Sequence, residues 1–200
     1  KTYSGRFDEN GSETKTENLN LGRWVCLVWF NKTGEASAWL DVSNKAAYQT
    51  AINTSNWKAQ EGTNLDCGLK LANNQLQQDT VKNIDKSLKN VVVLTDGEPT
   101  YYLRNLERND SSADIKIGET QYKVGHNGQS CNKDTFQNTK NSAAELKKSA
   151  SVYTVCFGAS GDTIKDYDEG SQGNLPDISV GNYLKDKIAT PKTGDKTYAY

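Results

Sequence analysis

Two hundred residues with 34% hydrophobic side chains allow one domain with a modest core, under a surface rich in Asn, Ser, Thr and Lys. Basic (24) and acidic (25) residues nearly balance and are mixed along the chain, so it lacks the basic footprint of a nucleic-acid binder. No apolar run approaches the roughly 20 residues that span a bilayer. The chain has no Met and begins at Lys1, so it is expected to be a processed chain or a fragment, and the lack of a signal peptide leaves location open. Cys26, Cys67, Cys131 and Cys156 are widely spaced without a CxxC pair, which argues against zinc. Two disulfides, in any of three pairings, and buried thiols are both compatible with that pattern.

Lys1–Gly22 is polar and reads as loop or insertion. Within it Asp8, Asn10 and Ser12 alternate as the ligands of a tight metal loop can, although no apolar strand leads into them. Trp24–Phe30 is a continuous apolar run and predicts a strand; Ala36–Val42 predicts a short edge strand and Ala46–Ile52 a weak helix. Leu65, Leu69, Ala72 and Leu76 recur on one helical face, with Thr63 or Asn64 placed to cap it. Val91–Thr95 is apolar, β-branched and without alternation, the pattern of a strand covered on both faces in a parallel sheet. It stops at Asp96-Gly97, where open α/β sheets place their ligand sites. Tyr101–Lys133 reads as a long irregular insertion holding His126, expected to be solvated. Asp134–Ala150 returns to helical spacing, Ser151–Gly158 is another buried-type strand, Gly161–Pro176 a loop, Asn182–Ala189 a short helix and Thr197–Tyr200 the start of a strand. Strand and helix in this alternation predict a parallel α/β sheet with right-handed crossovers, in a single domain without internal repeat.

E-G-T-N-L-x-x-G-L-x-x-A at 61–72 and V-V-V-L-T-D-G-E-P-T at 91–100 resemble the von Willebrand factor A domain, in the variant found in Gram-positive surface proteins and pilus-tip adhesins. V-Y-T-V-C-F-G at 152–158 and N-Y-L-K-D-K-I-A-T at 182–190 resemble its later strand and helix, so the likeness runs from about residue 24 to the C-terminus. The resemblance implies a doubly wound, mostly parallel sheet flanked by helices. It also implies a metal-ion-dependent adhesion site for Mg²⁺, or Mn²⁺ or Ca²⁺ in its place. Carried over by position, Thr63 supplies a hydroxyl and Asp96 a carboxylate, directly or through water. A carboxylate of a protein partner, an extracellular-matrix protein of a host or another surface protein, would complete the coordination. Extracellular, cell-wall placement and a binding role without catalysis follow from the same resemblance.

The family's D-x-S-x-S loop has no counterpart here beyond the echo at Asp8, Asn10 and Ser12. Its first strand and final helix are also lacking, so the expectation is a domain truncated at both ends, with exposed strands beside the gap and weak or no metal binding by this chain alone. Two other readings stand beside this one. A structural module of the same fold would have no metal-dependent binding. An α/β hydrolase-like enzyme would need a G-x-S-x-G elbow, which is missing, and would have to rely on His126, the only histidine.

Overall fold

A computed structural model describes residues 6–7, 13–14, 23–54, 62–107, 111–126, 128, 130–158, 161–164 and 177–191. Its first elements are β1 (Arg6–Phe7), β2 (Glu13–Thr14), β3 (Trp24–Val25), β4 (Val28–Phe30), β5 (Gly34–Ala36), β6 (Leu40–Asp41) and α1 (Lys45–Thr54). Then come α2 (Leu65–Leu76), β7 (Asn90–Thr95), β8 (Tyr102–Asn105), β9 (Ile115–Ile117), β10 (Thr120–Gly125) and α3 (Lys133–Ser149). The last are β11 (Ser151–Cys156), β12 (Thr163–Ile164), β13 (Ile178–Ser179) and α4 (Val180–Tyr183), which continues as a π-helical turn over Leu184–Ile188. The expected strand at Thr197–Tyr200 lies outside the described residues.

These elements fall into two compact units. The smaller unit, 1–25 with 39–55, holds β1 paired antiparallel to β2 and β3 paired antiparallel to β6. The polar Lys1–Gly22 stretch, expected as loop, therefore contributes one short strand pair. An Asx turn leads into α1: the Asp41 carboxylate accepts from the Ser43 amide at 2.9 Å and hydroxyl at 2.8 Å, which holds its pKa below the ordinary value.

The larger unit, 26–38 with 56–200, is built on α2. Asn64 caps the helix by accepting from the Cys67 amide at 3.0 Å. The periodic face Leu65, Leu69, Leu76 is buried as its spacing requires, and Leu71 is buried on another side. There Cys67 and Leu71 meet Leu103 and Ile117 in a core cluster that Val28, Ile115, Tyr122 and Val124 close. The β4–β5 hairpin lies against α2 at Gly68, where a side chain would put its Cβ 2.5 Å from the Phe30 ring.

Trp24–Phe30 is not one strand of a parallel sheet. It divides between the two units, β3 pairing with β6 and β4 with β5. At the break both backbone groups of Leu27 are spent on Ser37, the Leu27 amide on its hydroxyl at 3.0 Å and the Leu27 carbonyl on its amide at 2.8 Å, so neither is left for a neighbouring parallel strand.

Tyr101–Lys133 differs too. It carries a three-stranded antiparallel sheet in the order β8-β10-β9. The β9–β10 hairpin turns on Gly118-Glu119, with Gly118 in the left-handed region that a two-residue turn needs.

β7 and β11 form the parallel pair, in register from Asn90↔Ser151 to Thr95↔Cys156. α3 bridges α2 and β11, and its Phe136 ring packs on Tyr183 at 4.5 Å between centroids. The expected double-sided cover is absent from β7: Val93 and Thr95 are buried, whereas Val92 is 61% and Leu94 55% exposed. A buried carboxylate ties three elements together. Asp66 on α2 pairs with Lys70, accepts from Ser142 of α3 at 2.5 Å, and takes the Leu103 amide of β8 at 2.7 Å. None of the four cysteines is in a disulfide.

Candidate metal centre

Thr63 and Asp96 stand on two loops that hold each other. Gly62 has φ +84°, and a Cβ there would lie 2.9 Å from Thr100 Oγ1 and run into the Tyr101 ring, so glycine is required for conformation and for space. The Thr63 amide donates to Thr100 Oγ1 at 2.7 Å, and the Thr63 carbonyl accepts from the amides of Thr100 at 2.8 Å and Tyr101 at 3.2 Å. The two motif stretches, 61–72 and 91–100, thus meet through backbone hydrogen bonds. Asp96 follows β7 directly and is exposed.

Capping does not occupy Thr63. Asn64 does that work and is itself completely buried, its amide group donating to the Lys32 carbonyl at 2.8 Å and its backbone amide to the Asn31 carbonyl at 2.6 Å. Neither the Thr63 hydroxyl nor the Asp96 carboxylate makes a hydrogen bond or ion pair among the described residues. Both are hard oxygen donors, the type that Mg²⁺ and Ca²⁺ select. They are two, where Mg²⁺ takes six ligands in all. No group of three or more His, Cys, Asp or Glu side chains among the described residues is arranged to hold a metal ion. Asp8, Asn10 and Ser12 lie outside the described residues.

Three neighbours besides Thr63 and Asp96 shape this region. Thr100 is the acceptor that locks the Thr63 loop, and its position four residues after Asp96 was the available signal. Glu98 is half-buried, and burial raises its carboxyl pKa above the ordinary range; the Cys131 amide pulls it down in part and Asp162 pushes it up. His126, expected to be solvated, has φ +74° and sets Nδ1 2.9 Å from the Thr100 carbonyl. A carbonyl only accepts, so Nδ1 carries the proton.

An α/β scaffold with a carboxylate at the end of a parallel strand, next to the loop that opens a helix, defines the doubly wound class of ligand-binding folds. The family model of the von Willebrand factor type A domain matches residues 25–174. The chain belongs to that family. Among solved structures it is similar to the pilus adhesin SpaC from Lactobacillus rhamnosus GG, at a TM-score of 0.50 and 19% identity over 74% of this chain. At that identity the likeness is one of fold, and the chain covers only 20% of the adhesin's length. No curated protein matches it.

Proposed function

We propose that this chain is an adhesion or protein-interaction module of a cell-surface protein, which engages a carboxylate on a protein partner through a divalent cation. One observation carries the reading: the Thr63 hydroxyl and the Asp96 carboxylate are both uncommitted, on loops bonded to each other by Thr63 and Thr100. Thr63 would hold Mg²⁺, Mn²⁺ or Ca²⁺ through its hydroxyl and Asp96 through its carboxylate, directly or by way of water. The bound cation supplies a coordination position for the partner's carboxylate, which is binding and not catalysis. Family membership and the adhesin neighbour support a surface location in a Gram-positive cell wall. The small number of donors among the described residues favours a second reading, a structural module of the same family without metal-dependent binding.

Calorimetric titration with Mg²⁺ and Mn²⁺ separates the two. The chain alone and a chain extended upstream are compared, each also as Asp96→Ala. Binding by the extended chain that disappears in Asp96→Ala supports the metal-dependent module. Heat from neither chain, or heat that survives the substitution, moves the structural module to first place.

A further inference from the structure

A groove of about 430 Å³ opens within the larger unit between β8 and α3, and it shares no residue with the Thr63 and Asp96 loops. Its size falls inside the roughly 300–1,000 Å³ of small-molecule sites. Most charges in its wall are committed already. Lys70 is held by the buried Asp66 and donates to Ser142 Oγ at 2.9 Å. Both Glu145 oxygens face Lys148 Nζ, at 2.7 and 2.8 Å. Asp134 accepts from the Tyr102 hydroxyl at 3.3 Å.

What is left uncommitted is a mixed set of donors and acceptors. Arg104 and Asn105 make no side-chain hydrogen bond or ion pair among the described residues. Asn138 uses its amide nitrogen on the Asp134 carbonyl at 2.8 Å, which leaves Oδ1 to accept. Asn141 uses Oδ1 on Gln137 at 2.8 Å, which leaves Nδ2 to donate. Asn138 and Asn141 are three residues apart on α3 and so are neighbours on its surface. Acceptor and donor therefore sit side by side, opposite a guanidinium fork on a strand whose Tyr102 ring is packed against the Gly125 backbone.

Charge excludes most ligands. An anion would face the Asp134 carboxylate beside Arg104, a cation would face Arg104, and an apolar molecule would find only Leu103 and the Tyr102 ring among polar side chains. Adjacent hydroxyls on a sugar ring each donate and accept at the spacing of an amide pair. We infer that this groove is a binding site for a neutral saccharide unit, read by Arg104, Asn138 and Asn141 and independent of any cation at Thr63 and Asp96.

The test is saturation-transfer NMR on the 200-residue chain with a panel of neutral mono- and disaccharides, beside their carboxylated and sulfated counterparts. A neutral sugar is expected to receive saturation, with affinity reduced about tenfold in Arg104→Ala and in Asn138→Ala. The signal is expected to be unchanged by EDTA and by Asp96→Ala, which separates this site from the metal centre. Arg104 is exposed and Asn138 half-buried, and far-ultraviolet circular dichroism checks that each variant folds. Transfer to charged sugars only, to no sugar, or undiminished in both variants overturns the assignment.

Discussion

Asn64 and Thr63 are adjacent polar residues with opposite roles, and substitution separates them. Asn64→Ala removes the cap of α2 and strands the Lys32 carbonyl, at a combined cost of about 2–3 kcal/mol. Thr63→Ala takes away an uncommitted hydroxyl and is expected to change stability by less than about 0.5 kcal/mol, while weakening any cation binding. Urea unfolding of the two variants checks this; a large loss in Thr63→Ala would make that hydroxyl structural. Cys67, next to the buried Asp66, gives a pH signature. Burial pushes its thiol from 9.0 up to about 12, with Asp66 raising it and Lys70 lowering it. The unfolded chain releases this proton first, so the linked stability is intact below about pH 9 and is lost as pH rises toward 12. Tyr102 and Tyr122, also raised mainly by burial, act in the same direction. The urea midpoint is expected to fall between pH 8 and pH 10.5, and to fall less in Cys67→Ala; an equal fall would assign the titration elsewhere. Thr63 and Asp96 could be singled out together in the sequence only through the likeness of their two motifs to the family. Asp66 could not, since a carboxylate beside leucines gives no hint that Lys70, Ser142 and Leu103 converge on it.

At the scale of elements, α2 and the hairpin it carries depend on a missing side chain. Gly68→Ala would gain about 1 kcal/mol of helix propensity. It would also press a methyl group into the Phe30 ring, whose nearest carbon is 2.5 Å from that Cβ, and overpacking of this kind costs about 1–3 kcal/mol. Net destabilisation is therefore expected in thermal unfolding, and a smaller side chain in Gly68→Ala/Phe30→Leu should recover part of it. A stabilised Gly68→Ala would mean that the hairpin moves aside freely. α2 and α3 were readable in the sequence by their helical apolar spacing, and β7 and β11 by their continuous apolar runs. The break in Trp24–Phe30 was not, because it lies in which strand each half pairs with, β6 for Trp24–Val25 and β5 for Val28–Phe30, and a continuous apolar run carries no sign of that. The β8–β10 sheet was hidden by polar strands, although Ile115-x-Ile117 followed by Gly118-Glu119 is the signature of a tight hairpin.

For the whole molecule, the telling feature is the outer face of the parallel pair. Val92, Leu94 and Phe157 follow one another on that face by the two-residue period of the strands and their register, and all three are more than half exposed. β7 is paired along one edge only, with β11, among the described residues. The run Val91–Leu94 could not disclose this, because residues on both faces are apolar and alternation is invisible when every position is hydrophobic. A bare apolar face next to an open strand edge is a template for self-association. Threonine keeps the β-branched shape that a strand favours while adding a hydroxyl. Val92→Thr/Leu94→Thr is therefore expected to leave unfolding free energy within about 0.5 kcal/mol and to lower concentration-dependent association in sedimentation velocity. Both parts matter: a loss of several kcal/mol would mean that the face is covered in solution, and unchanged association would place the contact on another surface.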